Sequence, residues 1–368
     1  MKIKTVVIYV ILFLTIIFTV LLSQSRINNG PKIVKINDRV LLIEYLNVNV
    51  TAVQSKNGII IVDTHRSPAT MEKIKKLIEK EFGRSDFLYV INTHGDYDHC
   101  SGNQLFPSAT IIGHANCPEY MRQTPGNSPQ TIWHIKSNID DMKEAIQNPD
   151  EDPGEKKELE SEIELRSQML KSLEHEYKVT PPVKTFSDSL IIHLDDMTVK
   201  MIYCGNAHTD NDIFIYIPEE KLVFTGDLFT SKNSFGFNLN KMNDLQRVVS
   251  SMDQILRDSS GIKFVIPGHG AYFSGNDFLA LRNLLKEKIE DLPKSLSAAQ
   301  LLESLIVTNG ITKALQIYSG MGLSKKKKYY CQEEEFSVLG NRYMRKGMLE
   351  KAIGVFTVLT KTFPNSAL

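Results

Sequence analysis

Residues 91–103 read INTHGDYDHCSGN, which places His94, Asp96, Asp98 and His99 within six positions. The stretch follows FLYV, an apolar run that reads as the end of a buried strand. Metal ligands must be deprotonated and presented by a short, rigid turn. A strand end that runs into a tight turn does this, and Gly95 permits backbone angles that other residues avoid. His94 and Asp96 can point one way while Asp98 and His99 point another. Two partial ligand sets result, so two metals are implied rather than one. A hydrogen-bonded surface turn is the bland alternative, and four ionisable residues straight after an apolar strand argue against it.

The remaining ligands have to come from elsewhere in the chain. His208 lies in GNAHTDND, Asp227 in FTGDLF and His269 in VIPGHG. Each obeys the same rule: an apolar strand, a small residue, then a ligand. Recurrence of that rule at four places weighs more than any single motif.

With these motifs in this order, the chain resembles the metallo-β-lactamase-fold hydrolase superfamily. Its pattern is H-x-H-x-D-H, then an isolated His, an Asp and a final His. The resemblance spans about residues 33–275, interrupted by a helical segment. It implies an α/β fold, the αββα metallo-β-lactamase sandwich, with a dinuclear and usually zinc site at one edge of two sheets. By the same resemblance His94, Asp96 and His208 would hold the first metal. Asp98, His99 and His269 would hold the second, and Asp227 would bridge both. The implied activity is a metal-dependent hydrolase in which a hydroxide on the binuclear site cleaves an ester-like bond. Ester, thioester, lactone, phosphodiester and sulfate all qualify, and Asp98 is the candidate catalytic proton carrier.

One position departs from the superfamily's pattern, and another separates the chain from one branch of it. Asp96 stands where the family usually has His. A carboxylate still offers zinc an oxygen at about 2.0–2.2 Å, but it adds negative charge and moves preference toward manganese or iron. The expected cofactors are therefore two divalent metal ions, Zn2+ first, with Mn2+ or Fe2+ open. Asp227 stands where class B β-lactamases usually carry Cys or Ser. That points toward the broader hydrolytic branch: thioesterases of the glyoxalase II kind, lactonases, phosphodiesterases and alkylsulfatases.

Composition bounds the rest. Of 368 residues 42% are apolar and 23% charged, and the formal net charge is zero. No basic excess suggests a nucleic-acid partner, so the expected partner is a small-molecule substrate, with a homodimer open. Residues 1–25 form an unusual start: two lysines, then the uncharged run Thr5–Leu22. Eighteen such residues fall within the roughly 17–25 that span a bilayer and exceed the apolar core of a typical signal peptide. An uncleaved transmembrane anchor and a cleaved signal both fit. Either puts the catalytic domain outside the cytoplasm, and an anchor would keep it in contact with the membrane through this segment. In that compartment a disulfide is allowed. Cys100 and Cys204 lie near candidate ligands in sequence, so a bridge between them and buried free thiols both stay open.

The expected layout is a metallo-β-lactamase-fold domain at 31–275, a helical insertion at 128–181 and a helical region at 276–368. In the insertion, Ile132, Ile135, Ile139, Met142 and Ile146 make one helical stripe. Leu159, Ile163, Leu170, Leu173 and Tyr177 make a second. Trp133 is expected to pack or to face substrate. Residues 335–368 resemble one tetratricopeptide repeat, with Phe336, Leu339, Gly340, Tyr343, Ala352, Phe356, Leu359 and Pro364 at its offsets. Of the other histidines, His65 is expected to brace its loop, and His114 is a candidate to lie beside the metal ligands, with a plain structural role the alternative. His134, His175 and His193 read as surface or packing residues. The rival to an enzyme is a non-catalytic metal-binding scaffold whose helical end binds a partner.

Overall fold

The structure is a computed structural model that describes residues 30–147, 153–237, 242–258, 261–291, 297–321, 329, 331, 333–345 and 347–364. The run Thr5–Leu22 lies outside the described residues. Among those described, no helix is long and apolar enough to cross a membrane.

Two sheets stack face to face. The first runs β1 (Lys32–Asn37), β2 (Val40–Tyr45), β3 (Val48–Gln54), β4 (Ile59–Val62), β5 (Phe87–Ile91), β6 (Thr110–His114) and β7 (Lys184–Phe186) in simple sequential order. Its first four strands are antiparallel, and β4 to β7 are parallel. The second contains β8 (Ser189–His193), β9 (Thr198–Tyr203), β10 (Ile213–Ile217), β11 (Leu222–Gly226), β14 (Phe264–Pro267) and β15 (Phe273–Ser274). Its order is β15-β14-β11-β10-β9-β8, with β11 and β14 parallel. A small hairpin, β12 (Phe229–Ser231) with β13 (Ser234–Phe235), follows β11.

Strand periodicity builds the layers, because alternate side chains face opposite ways. Leu42, Val53, Ile60 and Ile91 of the first sheet meet Met201, Ile213, Ile215 and Phe224 of the second in a shared core. Their neighbours face outward. Leu41, Ile43, Ile59 and Val90 pack on Met71, Ile74 and Ile78 of helix α1 (Pro68–Phe82). That helix starts and stops as its sequence dictates: the Ser67 hydroxyl accepts from Thr70 N, and Gly83 closes it at φ +64°. On the far side, Phe214, Tyr216, Val223 and Val265 pack on α6 (Met242–Asp258) and α7 (Gly275–Asp291). The four layers are αββα, as the resemblance implies. The Phe278, Leu281 and Leu285 side chains place α7 in the sandwich rather than with the helices after it.

The shorter helices α2 (Tyr97–Cys100) and α3 (Cys117–Gln123) sit beside the metal-ligand turn. Next come α4 (Pro129–Gln147) and α5 (Pro153–His175). Ile135 and Ile139 of α4 share a cluster with Met169 and Leu173 of α5, and Tyr97 packs into its edge. This pair therefore rests on the turn that carries Asp96 and Asp98. Trp133 is 64% exposed, its ring edge-on to His134 at 5.1 Å.

The last helices, α8 (Ala298–Asn309), α9 (Ile311–Gly320), α10 (Glu333–Arg345) and α11 (Leu349–Thr362), have their own core of Leu302, Ile306, Tyr318, Phe336, Leu339 and Val355. Gly340 permits the close crossing of α10 and α11: a Cβ there would sit 2.6 Å from the Phe356 ring.

All four cysteines are free thiols. Cys100 packs with Cys117 and Met121, whereas Cys204 belongs to the cluster behind the second sheet. The bridge between Cys100 and Cys204 that the sequence left open is not formed.

Candidate metal centre

Strand ends from both sheets converge at one edge of the sandwich. β5 leads through Thr93 to His94, α2 carries Asp98 and His99, and His208 lies in the loop between β9 and β10. Asp227 follows β11 and His269 follows β14. Backbone bonds tie the sheets together here. Ile213 N donates to Thr93 O at 3.0 Å and Asn49 N to Gly268 O at 2.9 Å, while Gly268 N donates to Gly226 O at 2.8 Å within the second sheet.

The structure brings all seven sequence-predicted side chains together. His94, Asp96 and His208 form one group of three, and Asp98, His99 and His269 form another. His94, His99 and Asp227 overlap both. In each group the potential ligand atoms lie within 4.8 Å of one another. Asp227 occupies the middle. Its Oδ2 lies 3.1 Å from His269 Nε2 and 3.7 Å from His208 Nε2, and its Oδ1 lies 3.3 Å from His99 Nε2. Asp96 Oδ2 lies 3.1 Å from His208 Nε2 and 3.4 Å from His94 Nε2.

Each imidazole is aimed by a bond on its other nitrogen. His208 Nδ1 donates to Gly236 O at 2.5 Å, and His269 Nδ1 donates to Asn47 O. His99 Nδ1 donates to Asp63 Oδ2 at 3.1 Å. His94 Nδ1 lies 3.1 Å from Thr93 Oγ1, which donates onward to the same Asp63 oxygen at 2.7 Å. All four Nε2 atoms thus turn toward one centre, the arrangement by which metal-binding histidines are held.

Two buried atoms show how well the cage suits cations. His94 Nε2 and Asp227 Oδ1 are shielded from solvent and make no hydrogen bond. Such atoms are costly to bury unless something satisfies them. Divalent cations between these nitrogens and oxygens would do so. Three carboxylates and four imidazoles in two overlapping sets fit a pair of such ions.

Without cations the cage holds protons. Burial pushes Asp96 up, but the neighbouring His208 and His94 outweigh it and hold the carboxyl well below its ordinary range. Burial likewise opposes charge on Asp227, and His99 and His269 overcome it. On the histidines the balance is mirrored. Burial lowers His208, yet the Asp96 carboxylate carries it up to about 10. Burial also lowers His99, and Asp227 and Asp98 lift it well above the usual imidazole value.

Several contributors escaped the sequence reading. Asp63 follows β4 just as the ligands follow their strands, and that shared signal was available. Its buried carboxylate accepts from Thr93 N at 2.8 Å besides Thr93 Oγ1 and His99. Tyr120 on α3 donates to Asp96 Oδ1 at 2.7 Å. Asp212 accepts from the amides of His208 and Thr209, both at 2.8 Å, and fixes the His208 loop. Burial raises the pKa of the Asp212 carboxyl. Gly226, at φ +51°, lets β11 turn beneath Thr93.

The other histidines divide. His65 braces its loop as expected: it is fully buried, with Nε2 2.7 Å from Tyr45 O and Nδ1 2.8 Å from Thr70 Oγ1. Burial drives its pKa down to about 3. His114 does not join the ligands. It stacks on Tyr203 at 3.8 Å and bonds Ser187 O at 3.2 Å, because β6 ends one strand beyond β5. His134, His175 and His193 are exposed.

A four-layer sandwich with His and Asp side chains gathered at the ends of strands from both sheets defines a class built for binding divalent metals. The model of the Metallo-beta-lactamase superfamily matches residues 44–269, more than half of the chain, and the chain belongs to that superfamily. Its members are typically metal-dependent hydrolases that bind two metal ions, often zinc, and some are non-catalytic. Among curated proteins, a metallo-beta-lactamase type 2 from Bacteroides fragilis is 24% identical over 128 residues, which cover 35% of this chain and 51% of that protein. The chain thus matches about half the length of this relative. Among solved structures, the metallo-beta-lactamase from Pontibacter korlensis is 16% identical with a TM-score of 0.44, over 70% of this chain and 99% of that one. The DIM-1 metallo-beta-lactamase is 19% identical with a TM-score of 0.45, over 71% and 98%.

Proposed function

We propose that this protein is a binuclear metallohydrolase that cleaves an ester-like bond in a small molecule: an ester, thioester, lactone, phosphodiester or sulfate. The observation that carries the reading is the pair of donor triads joined through Asp227, with His94 Nε2 and Asp227 Oδ1 buried and unsatisfied between them. His94, Asp96 and His208 would hold one cation, Asp98, His99 and His269 the other, and Asp227 would touch both. Zinc suits the imidazoles, and the Asp96 carboxylate leaves manganese or iron as competitors. Bound cations supply an acidified water and an electrophile for the scissile carbonyl, phosphoryl or sulfuryl oxygen.

The chain's own groups do the rest. Asp98 is 17% exposed at the cage mouth, where it can accept a proton from the attacking water and deliver it to the leaving group. Ester and water then become acid and alcohol, with the proton conserved. Asp227, in the position where class B β-lactamases usually carry Cys or Ser, supports the broader hydrolytic branch over β-lactam cleavage. The apolar run Thr5–Leu22 supports a catalytic domain held outside the cytoplasm, anchored or exported.

A metal-binding scaffold is the second reading. It is favoured by the exposed Val307, Leu349 and Ile353 on the C-terminal helices, side chains a partner could cover. One experiment separates the two. The protein is loaded with zinc or manganese, its metal content counted, and a panel of the five bond types assayed beside Asp227→Ala. Two metals per chain with turnover that Asp227→Ala abolishes supports the enzyme. Fewer metals and no turnover overturns it.

A further inference from the structure

Arg66 stands beside the cage, and its guanidinium is nearly without partners. It lies in the loop between β4 and α1, whose backbone is unusual. Asp63 and His65 both adopt left-handed angles, φ +60° and +62°, although neither is glycine. Such conformations are costly and persist only where the surroundings enforce them. Here the enforcement is visible. Asp63 is fixed by Thr93 and His99, and His65 by Tyr45 and Thr70, with its ring stacked on Tyr45. On the other side Ser67 caps α1. Arg66 is therefore displayed from a locked segment.

Its guanidinium reaches toward the Asp98 end of the cage. The Nη2 atom lies 3.8 Å from Asp98 Oδ2, which is itself 3.5 Å from His269 Nε2. At 3.8 Å there is attraction but no hydrogen bond. The Nε–H is buried and unpaired. Among the described residues Arg66 makes no other ion pair or side-chain hydrogen bond. A guanidinium has five donors in a fixed fork suited to carboxylates and phosphates. A side chain that is 83% buried with its Nε–H unpaired is costly unless an anion arrives to use that donor. Neutralising Asp98 does not account for it, since a shorter approach would do that better.

We infer that Arg66 binds a negatively charged group of the substrate and sets specificity for anionic esters. This rests on the hydrolase reading above. The favoured substrate carries a carboxylate or similar anion near the scissile bond, on the side of Asp98 and His269. Arg66 takes the anion in its fork and so fixes which bond faces the cage.

The test has two arms. In the first, zinc-loaded wild-type protein, Arg66→Gln and Arg66→Lys are assayed on a neutral nitrophenyl ester and on its counterpart bearing a carboxylate. The expected result is a fall of roughly 10- to 100-fold in the anionic-to-neutral ratio of kcat/KM for Arg66→Gln, as loss of a charge-assisted bond implies. Arg66→Lys restores part of it. An unchanged ratio, with both esters losing equally, overturns the inference and leaves Arg66 a brace for Asp98. In the second arm, succinate binding to the same three zinc-loaded proteins is measured by calorimetry, with zinc content counted. Binding at least tenfold weaker in Arg66→Gln at equal zinc supports the inference, and equal binding overturns it. This arm needs no turnover. A wild-type protein that hydrolyses neither ester defeats the carboxylic-ester part of the hydrolase reading, and succinate still decides the anion site.

Discussion

The Tyr120 hydroxyl donates to Asp96 Oδ1 at 2.7 Å, and the other oxygen of that carboxylate faces His208 Nε2 at 3.1 Å. The two oxygens are thereby assigned different work. Asp96 replaces a longer imidazole, and a carboxylate left free could rotate out of the cage. The tyrosine holds one oxygen back so that the other points in. Gly95 makes room for this: a Cβ there would come 2.9 Å from the Tyr120 ring.

Tyr120→Phe removes that hold without changing the ring. Partners that orient a ligand typically change metal affinity about 10- to 100-fold when lost. The expected outcome is loss of that order at the site of Asp96, with the site of Asp98, His99 and His269 retained. Competition with a chelator, followed by metal counting, reads it. Equal, undiminished affinity at both sites would show that Asp96 needs no such guide.

Asp63 orients both triads at once. Its carboxylate is buried and takes three hydrogen bonds, two from Thr93 and one from His99. Asp63→Ala leaves those donors unsatisfied and frees the His99 ring. Breaking a buried charged network of this kind costs about 3 kcal/mol. A clear drop in Tm of the metal-free protein is expected in thermal denaturation. Weaker metal binding should accompany it even in the molecules that stay folded.

Much of this centre was legible because its signals are local. Each ligand follows an apolar strand, and strands are read from short runs; the Ile59–Val62, Phe87–Ile91, Leu222–Gly226 and Phe264–Pro267 runs all became strands. What escaped depends on distant geometry. Helix α3 is only seven residues long, too short for periodicity to announce it, so nothing marked Tyr120 as facing Asp96. The position of Arg66 follows from two left-handed residues that no pattern in THRSP declares. Proximity in sequence could not decide between a bridge and free thiols at Cys100 and Cys204, which pack on different layers although both flank ligands. Trp133 turned out to face solvent because only one stripe of α4 is covered by α5.

Metal loading should release protons. In the metal-free cage the Asp96 carboxylate holds His208 up to about 10, and Asp227 lifts His99, both against burial. His208 is then charged at pH 8, and ligation requires it neutral. Calorimetry in buffers of different ionisation enthalpy should show at least about one proton leaving per chain on full loading, the one held by His208. The same pairs set how metal-free stability varies with pH. His208 has its folded value raised above 6.5, so its contribution is complete below about 6.5 and is lost as pH climbs through about 10. Asp96 has its folded value depressed below 3.8, so its contribution is present above that value and is lost on further acidification. Tm of the metal-free protein is expected to fall between pH 6.5 and 10, and the zinc-loaded protein to lack that decline.

Gly268 offers a test of the cage by volume alone. It precedes His269 at the end of β14, and its amide donates to Gly226 O at 2.8 Å. Its conformation does not demand glycine, since its φ is not in the left-handed region. The demand is steric: a Cβ would fall 2.1 Å from Asp227 Oδ1 and 2.8 Å from His99 Cε1. Contacts that short cannot persist, and the atom displaced first is the carboxylate at the centre. Gly268→Ala adds one methyl group and should push Asp227 away from the position where it joins the two triads. Overpacking of this kind costs about 1–3 kcal/mol, so the chain should still fold. Metal counting is expected to find fewer than two ions in a protein whose circular dichroism matches wild type. A variant that binds two ions with unchanged affinity would mean that Asp227 can move and still serve both, and that the bridge is not fixed by close packing.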